Sequence, residues 1–358
     1  MSEDRKEAAE ILEVSHVNSY YEDNGLGILA KRKKKQVLKD VTFSIHTDEF
    51  FGLVGESGCG KSTLCNAILD LIPFDGSIRV AGKTAREEDR RQFTARVQAV
   101  FQDPMSALNP KKTIGFTLRE PLRAHRIGTK QQQEQAVLEM LERIGLDASY
   151  KDRYPGELSG GQRQRVCIGA ALMLNPDLVI ADEAVSALDV SVGAQILNLF
   201  RDIDARRDFS MLFVSHNLNV VYYLCDRIAV MYRGVIVEIG TAEEIYRNPQ
   251  HPYTKLLLSA IPDWNRKIED DGSKTLAELE QADAELETAR EDVPGACCFY
   301  HRCLRACAHC LQNPEPVNVR PEDEEEHLVR CHLADGQTDA ETVISEGSER
   351  EGIYASGN

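Results

Sequence analysis

The residues best equipped to do chemistry begin with Gly55-Glu56-Ser57-Gly58-Cys59-Gly60-Lys61-Ser62-Thr63. The spacing is G-x-x-x-x-G-K-S, the pattern of a phosphate-binding loop. Gly58 and Gly60 lack a Cβ, so the backbone can turn sharply and come close to phosphate oxygens. Lys61 supplies a point charge for β- and γ-phosphates, and Ser62 a hydroxyl for Mg²⁺. A flexible turn would explain the glycines, but not the lysine that follows them or the strand and helix on either side. A second glycine turn, Leu158-Ser159-Gly160-Gly161-Gln162, opens another helical stretch and offers a second phosphate-ready terminus. Asp182-Glu183 close an apolar run. A carboxylate there suits Mg²⁺, and its neighbour can orient and activate an attacking water. His216 also sits at the carboxyl end of a strand, beside the crevice where ligands of such sheets bind.

These groups need elements to hold them. Phe50–Val54 reads as a buried strand before the loop, and Leu64–Leu71 as the helix after it. Leu178–Ala181 and Met211–Val214 have the uninterrupted apolar character of strands in a parallel sheet. Ile11–Val14, Val41–Ile45, Gly76–Val80 and Val97–Phe101 are further strands, and Ile228–Met231 with Val235–Ile239 make a hairpin around Arg233-Gly234. Gly25–Lys35 reads as a loop, basic at its end. A helix-prone stretch runs from Thr113 to about Gly145, interrupted near Pro121 and Gly128. In its second half Ala136, Val137, Met140, Leu141 and Ile144 share one face, with Thr129 as the starting cap and Gly145 as the stop. Tyr20-Tyr21 precede the core. An aromatic there can stack on a base for about 1–3 kcal/mol, and paired tyrosines equally suit an edge strand.

Length and charge narrow the function classes. The 358 residues allow two or three domains. No apolar stretch is long enough to cross a bilayer, and the polar start MSEDRKEAAE has no signal-peptide core. The net charge of −16 is uneven: residues 266–358 hold 9 Lys/Arg against 22 Asp/Glu, leaving the first 265 residues near −3. That balance argues against a general nucleic-acid surface. Lys31-Arg32-Lys33-Lys34-Lys35 is the one basic cluster and reads as a solvated loop. Six of the ten cysteines lie between Cys297 and Cys331. In a cytosolic chain such clustering points to a metal or cluster site more than to disulfides.

Taken together, the phosphate loop, Gln102, Leu158-Ser159-Gly160-Gly161-Gln162, Asp182-Glu183, Ser186–Asp189 and His216 resemble, in order and spacing, an ATP-binding-cassette ATPase. The likeness covers roughly residues 10 to 265. It is nearer to the oligopeptide/dipeptide permease ATPases: Phe101-Gln102-Asp103-Pro104-Met105-Ser106-Ala107-Leu108-Asn109-Pro110, Ser186-Ala187-Leu188-Asp189-Val190-Ser191 and His251-Pro252-Tyr253-Thr254-Lys255 resemble theirs. The resemblance implies an α/β P-loop cassette, a mixed β-sheet core with a helical subdomain, plus a small Cys-rich C-terminal extension. The core would be residues 10–102 and 159–262 and the helical signature subdomain 103–158. An acidic linker at 263–296, a Cys-rich extension at 297–335 and a disordered tail at 336–358 would follow.

What the resemblance implies for the site is a head-to-tail pair of cassettes enclosing ATP and Mg²⁺. Gly55, Ser57, Gly58, Gly60, Lys61, Ser62 and Thr63 would bind the phosphates and Mg²⁺. Gln102 would contact Mg²⁺ and water, Asp182 would hold Mg²⁺ through water, Glu183 would be the general base, and His216 would hold the γ-phosphate. Ser159, Gly160, Gly161 and Gln162 would reach the opposite subunit's ATP, Asp189 would act across the interface, and Tyr21 would stack on adenine. Ala184 departs from the family's usual proline. Cys298, Cys303, Cys310 and Cys331 match the family's tail cysteines, with Cys297 and Cys307 as extras. The likeness favours a [4Fe–4S] cluster there over Zn²⁺ or free thiols.

The expected partners are two integral membrane permease subunits, a second cassette forming a homo- or heterodimer, and an extracytoplasmic solute-binding protein reached through the permeases, with no nucleic acid. The expected place is peripheral, on the cytoplasmic face of the cell membrane. Oligopeptides, dipeptides, nickel and related solutes share this kind of ATPase. The competing reading is a soluble cassette ATPase acting on nucleic acid or ribosomes.

Overall fold

The computed structural model describes residues 9–23, 33–204, 209–259, 261, 293, 295–319 and 326–334. Lys31 and Arg32, nearly all of the acidic linker and the tail beyond 334 lie outside the described residues. The chain divides into two compact units, Met1–Ile228 and Ala229–Asn358.

In the first unit the long strands β1 (Glu10–Asp23) and β2 (Lys33–His46) precede β3 (Phe50–Val54), α1 (Lys61–Ile68), β4 (Asp75–Val80), α2 (Arg90–Arg96) and β5 (Val97–Val100). β2, β1 and β4 form an antiparallel sheet in that order. β2 starts at Lys33, not Val41. Pairing of Asp23 with Lys33 and of Tyr21 with Lys35 continues the ladder, so the end of the expected basic loop is strand.

A helical stretch follows: α3 (Pro104–Ala107), α4 (Ile114–His125), α5 (Lys130–Arg143), two short 3₁₀ turns, and α6 (Gly160–Leu172). α4 runs through Pro121. Burial of Leu118 and Leu122 on either side of it outweighs the one hydrogen bond a proline forfeits. α5 starts and stops as its sequence predicts: Thr129 and Gln132 form a reciprocal capping box, and Gly145 takes a φ of 68°. Val137, Met140, Leu141 and Ile144 are buried.

β6 (Leu178–Asp182), α7 (Val190–Asp204), β7 (Ser210–Ser215) and α8 (Leu218–Leu224) complete the unit. The parallel ladder β3-β7-β6-β5 is its core. Every residue of β3 and β7 is buried, as expected when a parallel sheet is covered on both faces. Its register does the positioning. Val54 pairs with Ser215, and Asp182 with Val214. The loop after β3, the Asp182-Glu183 tip and Ser215-His216 therefore emerge at one edge of the sheet, at the carboxyl ends of its strands.

β8 (Arg227–Tyr232) leads into the second unit, where β9 (Val235–Thr241) returns through Arg233 and Gly234 at φ 44° and 85°. α9 (Ala242–Arg247), α10 (Pro252–Ser259), β10 (Val317–Asn318) and β11 (Leu328–Val329) follow. β11 pairs with β9, and β10 with β11. The rings of Tyr232, Tyr253 and Phe299 meet at 4.6–5.5 Å and are buried. Phe299 thus pins the cysteine segment onto β8 and α10. Among the described residues no helix is long and apolar enough to cross a membrane.

Candidate functional site

The loop between β3 and α1 is built on glycine. Gly58 and Gly60 take φ values of 79° and 116°, a region closed to most side chains. Lys61 is buried, and its Nζ donates to the carbonyls of Gly55 at 2.7 Å and Glu56 at 3.0 Å. The ammonium is therefore held inside the turn. Tyr21, half exposed at the end of β1, brings its hydroxyl to 3.4 Å from Thr63 Oγ1. That ties the aromatic to the phosphate loop while leaving its ring face accessible.

Asp182 hydrogen-bonds Ser62, and its Oδ1 is buried with no hydrogen-bond partner. Burial pushes its carboxyl up from the usual range, while the Ser62 hydroxyl draws it down. A buried carboxylate oxygen with an unused lone pair beside a serine hydroxyl is the hard-oxygen donor set that suits Mg²⁺.

Glu183 is the hub. Gln102 Nε2 donates to its Oε2 at 3.1 Å, and His216 Nδ1 lies 3.4 Å from its Oε1. Its backbone sits at φ 50°, a conformation costing a non-glycine residue about 1–3 kcal/mol. The surroundings hold it there: its N–H donates to Val214 O at 2.9 Å, and its carbonyl accepts Ser186 Oγ at 2.9 Å. Ser186 Oγ also accepts from Gln102 Nε2 at 3.3 Å. In the sequence Ser186 stands out only as the first residue of the Ser186–Asp189 motif, with no role of its own. Here it braces both the glutamine and the glutamate, a role that no spacing signals.

The Ser159–Gln162 turn is a pre-shaped helix start. Ser159 Oγ accepts the Gln162 N–H, and Gln162 Oε1 accepts the Ser159 N–H. Gln162 Nε2 also donates to Tyr150 Oη at 2.9 Å, a partner the sequence reading did not foresee. Gly161 lies so close to α7 that a Cβ there would meet Val192 Cγ1 and force that side chain to move. Ser159 and Gly160 stay exposed. Asp189 caps α7, its carbonyl accepting from Gly193 N–H at 2.8 Å. The structure therefore gathers Gln102, Glu183 and His216 into one group, Ser62 with Asp182 into a second, and Tyr21 with Thr63 into a third. The contacts of Ser159–Gln162 go instead to the 3₁₀ turn and α7.

Residues 38–186 match the family described as ABC transporter, and residues 237–310 match the oligopeptide/dipeptide transporter C-terminal region. The dipeptide transport ATP-binding protein DppF of Haemophilus influenzae is 41% identical over 318 residues, covering 87% of this chain and 94% of that protein. The chain belongs to the ABC transporter ATP-binding family. The oligopeptide transport ATP-binding protein AppF of Bacillus subtilis is 39% identical, covering 90% of this chain and 97% of its own. A solved dimeric ATP-binding cassette in a post-hydrolysis state with ADP and Pi matches at TM-score 0.56 and 26% identity, covering 64% of this chain and 98% of that one. CbiO1 of Clostridium perfringens matches in fold at TM-score 0.60 and 23% identity, covering 67% and 92%. The cassette is an ABC-type ATPase, with ATP and Mg²⁺ as its ligands. The soluble alternative acting on nucleic acid or ribosomes finds no support among these relatives.

The cysteine extension of this ABC subunit differs from its sequence reading. Cys297, set aside as an extra, is tied to the expected ligand Cys310: its N–H donates to Cys310 O at 2.9 Å. Cys298 instead hydrogen-bonds Cys297, which, with help from His251 and against burial, lowers Cys297 to about 4. Burial pushes Cys303 up to about 11 and Cys310 up to about 12. Among the described residues no group of three or more His, Cys, Asp or Glu is arranged to hold a metal ion. The expected set Cys298, Cys303, Cys310 and Cys331 therefore does not fit a [4Fe–4S] cluster or Zn²⁺ in this geometry.

Proposed function

We propose that this ABC ATPase is the energising subunit of an importer for dipeptides, oligopeptides or a related solute. It would sit peripherally on the cytoplasmic face of the membrane, bound to two integral membrane permeases and a second cassette, identical or related, and fed by an extracytoplasmic binding protein through the permeases. The observation that carries the ATPase half is the convergence of Gln102 and His216 on Glu183, beside the Asp182–Ser62 pair. The transport half is supported by relatives named for dipeptide and oligopeptide transport that align with 87–90% of the chain.

In this reading Glu183 takes the proton of the attacking water, Gln102 and His216 orient the carboxylate and the γ-phosphate, and Lys61 with the loop amides holds the β- and γ-phosphates. Bound Mg²⁺, carried on Ser62 and on Asp182 through water, would neutralise phosphate charge. Tyr21 stacks on the adenine. Ser159, Gly160, Gly161, Gln162 and Asp189 serve the ATP of the opposing cassette, so only bound ATP completes the closed pair. The core at 10–102 and 159–262 and the helical insert at 103–158 belong to the same proposal.

The importer reading is tested by co-purification and reconstitution. The chain should bring down two integral membrane proteins. In liposomes, ATP hydrolysis should rise when a peptide-loaded binding protein is enclosed. A chain that isolates without membrane partners, or an assembly indifferent to the loaded binding protein, overturns it. Cysteines at Ser57 and Ser159 should cross-link two cassettes under ATP-trapping conditions.

A further inference from the structure

The Ser159–Gln162 turn takes part of its shape from a group outside it. We infer that Tyr150 is a positioning residue for that turn: its hydroxyl fixes which way the Gln162 amide faces, and through it the direction in which Ser159 offers its own proton. Ser159 meets a nucleotide only where two cassettes enclose ATP, so this role rests on that reading.

The Gln162 amide has two unlike ends. Its Oε1 accepts the Ser159 N–H at 2.9 Å, and its Nε2 donates to Tyr150 Oη at 2.9 Å. Turned over about its last bond, the amide would set one donor against another at the Ser159 N–H. The Tyr150 oxygen, an acceptor within reach of Nε2, favours the orientation seen. Gln162 held this way keeps the Ser159 N–H occupied, and its own N–H donates to Ser159 Oγ at 3.3 Å. A hydroxyl has two lone pairs and one proton. With a lone pair taken by the Gln162 N–H, the Ser159 proton is left to donate away from the helix. Ser159 is exposed, so an anionic oxygen on another molecule can receive it.

Tyr150 is itself held in place. It lies in the 3₁₀ turn Ala148–Asp152, which the Asp147 carboxylate caps by accepting the Ser149 N–H at 2.9 Å. The Arg153 guanidinium lies 4.0 Å over its ring, an attraction to the ring face that needs no hydroxyl. Lys151 Nζ donates to Glu134 on α5 at 2.6 Å, and the Arg153 carbonyl accepts the Ile114 N–H at the start of α4 at 2.9 Å. The turn is thus fastened to both α4 and α5, and the Tyr150 hydroxyl passes their position to the first residues of α6.

Tyr150→Phe removes the oxygen and keeps the ring that Arg153 covers. In the full-length chain without nucleotide, amide hydrogen exchange at Ser159 should quicken about 2- to 10-fold, the worth of one hydrogen bond, with the melting temperature unchanged. In a Glu183→Gln background, where ATP is spared, the ATP concentration that pairs half of the chains, read by sedimentation, should rise by at least that factor. Binding of a fluorescent ATP analogue at chain concentrations too low for pairing should stay as in the parent. With Gln162→Ala already present, Tyr150→Phe should add nothing to either effect. Unchanged exchange at Ser159 overturns the role of Tyr150, as does a quickening that persists in Gln162→Ala, or a pairing curve that matches the parent's. If the parent itself never pairs with ATP, the two-cassette reading falls instead, and exchange at Ser159 still decides whether Tyr150 sets the turn.

Discussion

Two glutamate–histidine pairs in this chain share a chemistry and differ in every surrounding. In the first unit Glu183 and His216 stand 3.4 Å apart, with the histidine side chain 53% exposed. In the second, Glu238 and His327 stand 2.8 Å apart with side chains 0% and 1% exposed. Glu238 is saturated: it also accepts the Gln250 N–H at 2.7 Å and the His251 N–H at 3.0 Å. Glu244 lies 2.8 Å from the other ring nitrogen of His327, without a hydrogen bond to it. The pair fastens β11 and the cysteine extension to β9 and α9. Glu183 keeps room for water and substrate, while Glu238 has its positions filled. A polar pair can act on a ligand where its hydrogen bonding is left unfinished, and it serves folding where that bonding is closed.

The largest effect should come from the open pair. Glu183→Gln removes the proposed base while keeping a side chain that Gln102 and His216 can orient. Loss of a general base costs about 10²- to 10⁴-fold in rate. Steady-state ATP hydrolysis should fall by that factor while ATP binding, measured by fluorescence of a nucleotide analogue, is kept. Gln keeps the size of the side chain and its bond with Gln102, and the partner His216 is half exposed, so stability should change by less than about 1 kcal/mol. Hydrolysis at the original rate would dissolve the contrast between the two pairs.

The closed pair should answer the other way. Glu238→Ala strands His327 and two amides in a dry site, and breaking such a buried pair costs about 3–5 kcal/mol. Urea unfolding of the second unit should shift by that amount, with ATP affinity at the phosphate loop unchanged. A shift no larger than that of Glu183→Gln would show that burial is not what separates the pairs.

The candidate open site could be picked out in the sequence and the closed pair could not, for physical reasons. A phosphate site would demand glycines, a lysine and strand-tip carboxylates at fixed offsets, the pattern that singles out Gly58, Lys61, Asp182 and Glu183. Ser186 was missed as a brace because its partners are 84 residues away or reached through backbone. Glu238 and His327 are 89 residues apart, and only the pairing of β9 with β11 brings them together. Among the cysteines, spacing could not show that Cys298 hydrogen-bonds Cys297 or that Cys297 N–H is tied to Cys310. Pro121 and the start of β2 were misplaced because packing and ladder hydrogen bonds override local preference.

Asp182 supplies the smallest and most discriminating effect. Burial raises its carboxyl above the ordinary range, the Ser62 hydroxyl opposing. A carboxyl raised by folding contributes stability while protonated, below its unfolded value, and loses it as pH rises through the folded value. At neutral pH the ionised Asp182 is therefore a cost to the metal-free protein. Asp182→Asn should raise the neutral-pH melting temperature slightly, by less than Glu238→Ala lowers it, and the gain should fade as pH falls through the carboxylate range. The same variant should lose the extra stabilisation that Mg²⁺-ATP gives the parent. Thermal melts across that range, with and without Mg²⁺-ATP, measure both. If Asp182→Asn melts lower than the parent at neutral pH without metal, the buried unpartnered oxygen is not a waiting ligand, and the open site is as closed as the one around Glu238.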